Sequence, residues 1–200
     1  MAAPAVIFGI IVVMGVFLLL HEQLIKNRPL YKLGEKFGLT IEKRRNMWMH
    51  PPVMRGEIDG RQVSLFYHNS GGCRYSVIEI AIRRHADDNI MVVRKSPLTR
   101  AMSFSPSEFE DAEMRKSFFY WAGKGDRLRD LFEMEPMKSD TLAFLKKGSL
   151  TIGKTLKFVD KGDLRVRKRC KRFEEAMPFL LRLAVAVEVF DEDTVGAVGN

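Results

Sequence analysis

The sequence carries none of the compact signatures that announce a chemistry. It has no HExxH, no GxSxG and no paired-carboxylate motif, so metal-assisted proteolysis, acyl transfer from a nucleophile elbow and two-carboxylate hydrolysis have no local starting point. Its 4 histidines, His21, His50, His68 and His85, stand apart from one another. Cysteine is equally scarce. The 2 cysteines, Cys73 and Cys170, form no CxxC and have no histidine at metal-ligand spacing, which excludes a zinc framework and a disulfide-dense scaffold. No metal and no cofactor is expected, and the reading is of a non-enzymatic protein. In a reducing compartment both thiols should be free.

Basic residues are missing from the start of the chain, where MAAP is followed over 5–20 by AVIFGIIVVMGVFLLL. With 21–25 this run reaches about the 20 residues that cross a hydrocarbon core. It lacks the basic leader and the small-x-small cleavage site of a secretory signal. It therefore reads as an uncleaved signal-anchor, a single-pass transmembrane helix. The cations that follow, Lys26, Arg28, Lys32, Lys36, Lys43, Arg44 and Arg45, place the N-terminus outside and the following domain in the cytoplasm under the positive-inside rule. The expected location is the inner or plasma membrane.

Beyond the anchor the domain organisation reads as a basic amphipathic connector over 26–45, an α+β domain over 46–190 and a frayed polar tail over 191–200. In the connector, Leu30, Leu33 and Phe37 fall at helical spacing with Lys32, Glu35 and Lys36 on the other face. Such a helix either lies on a bilayer surface or docks on the domain. Four short strands follow, over 53–58, 62–68, 75–82 and 90–93, the first two joined at Asp59-Gly60. They suggest an antiparallel meander. Ser105-Pro106-Ser107-Glu108 has the form of a capping box opening a helix to about 122, with FFYW (118–121) in the core.

GSLTIGKT, at 148–155, fits the phosphate-cradling pattern GxxxxGK[ST] letter for letter. Gly153, Lys154 and Thr155 would then be the phosphate and magnesium contacts. The flanks point elsewhere, because such a loop leaves a strand and opens a helix. Here a helix starting near Ser139-Asp140-Thr141 ends in Lys146-Lys147 with Gly148 as its cap, and Thr155 to Val159 alternate like a strand. A late hairpin turning at 160–163 would return through 164–167.

That return opens LRVRKRCKR, in which Arg165, Arg167, Lys168, Arg169, Lys171 and Arg172 are basic. As a strand it would project Arg165, Arg167 and Arg169 from one face as a ladder for anionic oxygens. The chain has 33 Lys and Arg against 25 Asp and Glu, a net charge of +8, so an anionic partner fits the composition. Against this stands a solvated face neutralised by Glu174, Glu175 and the acidic group Glu108, Glu110, Asp111 and Glu113. A C-terminal helix beginning near Phe173 would bury Met177, Leu180, Leu181, Ala184 and Val187, with Pro178 in its first turns or kinking it.

The N-terminal run, the GEIDGRQV segment at 56–63, the Gly125-Asp126 loop and the DKGDLRV segment at 160–166 together resemble bacterial single-pass membrane proteins. The resemblance implies an anchored cytoplasmic or periplasmic α+β domain and brings no activity and no site residues. The expected architecture is an N-terminal transmembrane helix, then one antiparallel sheet, meander plus late hairpin, packed by two or three helices. The expected function is a membrane-anchored interaction or scaffold domain whose basic surface meets headgroups, a protein partner or another copy of the chain. An anion-binding module for nucleic acid or nucleotide is the alternative.

Overall fold

The computed structural model describes residues 3–21, 25, 27–42, 52–83, 89–96, 99, 107–122, 128–146 and 148–198. Lys26, Lys43, Arg44, Arg45, His50, His85, Lys147, the Ser105-Pro106 helix start and the Gly125-Asp126 loop lie outside the described residues. Helix α1 covers Ala3–Leu20 and is apolar all round. Helix α2 is Arg28–Lys36. The strands are β1 Thr40–Ile41, β2 Val53–Ile58, β3 Arg61–Ser70, β4 Cys73–Ala81, β5 Ile90–Arg94, β6 Phe118–Trp121, β7 Gly148–Ile152 and β8 Thr155–Lys161. Short helices α3 (Ala112–Ser117), α4 (Leu128–Glu133) and α5 (Met137–Phe144) precede the β7–β8 pair, and the long α6, Arg167–Val198, follows it.

The transmembrane expectation is corrected at α1. Among the described residues no helix is long and apolar enough to cross a membrane. The 18 residues of α1 rise about 27 Å, short of a hydrocarbon core of about 30 Å. The signal-anchor, the single-pass assignment, the membrane location and the N-out topology all rested on that span and fall with it. What α1 does show is a sleeve of apolar side chains, Val6 to Leu18, all exposed.

The α+β class stands: the described residues form a single sheet of 8 strands in the order β1-β2-β3-β4-β8-β7-β5-β6, every pairing antiparallel. Strands β2, β3 and β4 do meander. At the first turn Asp59 and Gly60 both take positive φ, 51° and 74°, the pair of left-handed residues whose twist suits a two-residue hairpin. The fourth strand departs from the expected meander: β5 pairs with β7 and β6, and the β7–β8 hairpin is inserted between β4 and β5.

Two rows of side chains across the sheet explain why. Leu65, Ile78, Phe158, Leu150, Val92 and Tyr120 are consecutive register partners, and so are Val63, Ile80, Leu156, Ile152 and Ile90. All eleven are buried. Helix α6 lies on this face and contributes Phe173, Ala176, Met177, Leu180, Leu183, Ala184 and Val187 at three- and four-residue spacing. Each large side chain so enclosed is worth about 1.5–3 kcal/mol relative to exposure.

Three local readings change in this context. FFYW is strand β6, with Phe118 and Tyr120 in the core and Phe119 and Trp121 only partly buried. The helix before it shrinks to α3, capped by Asp111, whose carboxylate accepts from the amides of Glu113 and Met114 at 3.0 Å. Finally, α6 begins at Arg167 rather than near Phe173 and runs through the expected tail to Val198, so Pro178 lies inside it. Leu183 is in the core, while Leu181, expected on the buried stripe, is only packed against its edge.

The GSLTIGKT segment is a β-hairpin. Gly148–Ile152 and Thr155–Lys161 pair directly, Ile152 opposite Leu156, and the amide of Gly153 donates to the Thr155 carbonyl at 3.1 Å. No helix opens at Lys154 and Thr155, where the second strand of the hairpin begins instead. Gly148 is not a helix cap but the first residue of β7, needed because a Cβ there would lie 2.7 Å from the Val159 carbonyl oxygen and 2.8 Å from Phe158. Gly148→Ala should therefore cost about 1–3 kcal/mol through overpacking. Urea denaturation checks this, and an unchanged midpoint would show that the close approach is not structural.

Candidate functional site

The basic segment after β8 is divided by the fold into two sets with different surroundings. Leu164 to Val166 form a turn rather than a strand, and helix α6 starts at Arg167. The expected ladder therefore does not exist. A helical period of 3.6 instead of 2 sends Arg169 and Arg172 towards the sheet and leaves Arg167, Lys168 and Lys171 exposed.

The inward set meets carboxylates that strand periodicity carries inside. Along β8, Leu156, Phe158 and Asp160 share the core face, so Asp160 is buried to 0% exposure. Arg169 and Arg172 reach the same Oδ2 of Asp160 at 2.9 and 2.7 Å. Arg172 also donates to the Phe144 carbonyl at 2.8 Å, tying α5 to α6. Arg165 makes a two-oxygen contact with Asp163, its Nε 3.1 and 2.9 Å from the carboxylate oxygens. Arg74 binds Asp163 as well. Both guanidinium groups stand over the Tyr67 ring, at 5.6 and 5.8 Å from its centroid. These three arginines of the expected site are structural.

A concavity of about 560 Å³ beside them is lined by Cys73, Arg74, Lys161, Gly162, Asp163 and Arg169. Its arginines are already held by Asp163 and Asp160.

The outward set borders a different feature, a groove of about 1050 Å³ between α2 and the start of α6. Arg28, Lys32 and Lys36 come from α2, and Arg167, Lys168 and Lys171 from α6. Sequence reasoning placed these in two separate groups, one juxtamembrane and one partner-binding. The tertiary structure brings them to one place. Helix α2 is held there by its buried Leu30, Leu33 and Gly34, by Met54 packing where a Gly34 side chain would stand, and by Tyr67, whose hydroxyl donates to buried Asn27 at 3.1 Å. The connector thus docks on the domain.

One carboxylate, Glu174, also lines the groove and pairs with Lys36. Lys171 has only a loose contact with Glu175, at 3.8 Å and exposed on both sides. Among the described residues Arg28, Lys32, Arg167 and Lys168 hold no carboxylate partner. The apolar lining comes from Ile25, Pro29, Leu33 and Cys170. Burial, reinforced by the Asp163 charge, pushes the Cys170 thiol up to about 11, and its hydrogen goes to the Leu164 carbonyl, 2.8 Å away. Cys170 is part of the wall rather than a nucleophile.

The first turn of α6 carries no acidic residue. Cations at a helix N-terminus oppose the macrodipole, and the carboxylates nearest this end, Asp163 and Asp160, are taken up by Arg165, Arg169 and Arg172. Among the described residues no cluster of three His, Cys, Asp or Glu could hold a metal ion. His68 is stacked on Tyr75 at 5.5 Å.

No family model matches the chain. No curated protein matches it either. Among solved structures it is similar to the mycobacterial trehalose monomycolate transport factor A, TtfA, with 13% sequence identity and a TM-score of 0.43, over 78% of this chain and 94% of that one. A likeness that distant says nothing of what this chain binds.

Proposed function

We propose that this chain is a non-catalytic binding domain whose groove between α2 and α6 contacts phosphate-bearing anionic headgroups. The observation that carries the reading is the convergence of six cations, from two helices far apart in sequence, in a groove with apolar lining and, among the described residues, a single carboxylate. Oxygen-rich anions suit such a rim, since lysine and arginine donate charge-assisted hydrogen bonds to phosphate in several directions. Nucleic acid is less well served, because among the described residues no aromatic side chain lines the groove to stack a base.

The test compares the full chain with Arg167→Glu, Lys168→Glu, Lys171→Glu on vesicles of phosphatidylglycerol and of phosphatidylcholine, by flotation at rising salt. The exposed apolar α1 is common to every arm, so the contrast reads charge alone. At about 1 kcal/mol per basic residue near an anionic surface, the triple variant should bind phosphatidylglycerol more than about a hundredfold less tightly. Equal binding of both proteins would sink the proposal, and so would tighter binding to a single-stranded oligonucleotide than to the vesicles.

A further inference from the structure

Resting on that headgroup reading, we infer that the groove takes a single phosphate monoester amphiphile, its headgroup on Arg167, Lys168 and Lys171 and the first part of its tail against Ile25 and Pro29. A site for a free anion needs donors alone. This one is lined by Ile25, Pro29, Leu33 and Cys170 as well as by its cations, and Leu33 and Cys170 are buried. Ile25 stands at the same groove with 58% of its surface exposed, an aliphatic side chain among charges that has no role in a site for a small hydrophilic ion. The lysine stems of Lys32 and Lys168 add methylene surface while their ammonium groups stay at the rim. A volume of about 1050 Å³ is at the upper end of what encloses a ligand of lipid-fragment size. Charge complementarity sets the head and the wall sets the tail, so the occupant is a molecule that has both.

The inference separates one captured molecule from a protein resting on a bilayer. The experiment is calorimetric titration of the full chain with dihexanoyl phosphatidic acid below its micelle concentration, with glycerol 3-phosphate, and with inorganic phosphate. The amphiphile should bind at least about tenfold more tightly than glycerol 3-phosphate, the worth of roughly two buried methylenes. Ile25→Ser should remove most of that advantage and leave glycerol 3-phosphate binding unchanged. Because Ile25 is exposed, this variant spares the core. Equal affinity for the amphiphile and glycerol 3-phosphate overturns the inference, as does an Ile25→Ser variant that keeps the full advantage. If charge-dependent vesicle binding persists while the monomeric amphiphile fails to bind, the inference falls and the headgroup reading survives. If vesicle binding also ignores charge, both fall.

Discussion

Asp160→Asn is expected to destabilise the fold by about 3–5 kcal/mol, the cost of removing one partner from a buried ion pair. The carboxylate has no exposure, and Arg169 and Arg172 both end on its Oδ2. Neither arginine can leave freely. Arg172 is also bound to the Phe144 carbonyl, and the side chain of Arg169 lies over Gly162, its Nε 2.5 Å from where a Cβ would stand. The neutral amide keeps the shape and loses the charge, stranding two partly buried guanidinium groups. In a chain of this size the melting temperature should fall by roughly 10 °C or more. Replacing all three residues together with apolar ones of similar volume should recover much of the loss, because a buried ion triad is often no more stable than its hydrophobic substitute. A thermal melt of Asp160→Asn that matches the parent protein would show that the triad does not hold α6 to the sheet.

Phe158→Ala should cost about 3–5 kcal/mol by emptying the middle of the core. Phe158 is the register partner of Ile78 on one side and Leu150 on the other, and its ring meets Phe173 of α6 with centroids 5.4 Å apart. The cavity would open between the sheet and the helix that bears half the groove. Phe158→Leu, which keeps most of the volume, should cost clearly less. Equilibrium denaturation in urea of the two variants checks the order, and equal losses would mean that the ring's packing is not what matters. Phe158 and Asp160 share one strand and one helix, so the double variant should be non-additive.

Much of the sheet was legible in the sequence. The period-2 pattern places β2, β3, β4 and β5 close to their observed positions, and Asp59-Gly60 announces its own turn. Asp160 was legible too, had the alternation of Leu156, Phe158 and Asp160 been followed one step further. Asp160 accounts for the inward turn of Arg169 and Arg172, whereas Arg165 is held by Asp163 in the turn that follows.

The strand order was not legible. Whether β5 follows β4 or accepts a hairpin between them depends on which buried rows match across the sheet, and local patterns are silent on that. FFYW shows the same limit from the other side. A helix pattern ran into it, yet pairing with β5 drew those four residues into a strand, tertiary context overriding propensity.

The sequence by itself determined which residues would be apolar inside strands, where glycine turns would fall, and that the chain carries a surplus of positive charge. Only the tertiary structure decided that GSLTIGKT is a hairpin, that no helix among the described residues is long and apolar enough to cross a membrane, and which cations face the groove. The reason is geometric. A charge becomes structural or available according to what lies across from it, and Asp160 beneath Arg169 and Arg172, or α2 facing Arg167, Lys168 and Lys171, are neighbours that the chain acquires only by folding.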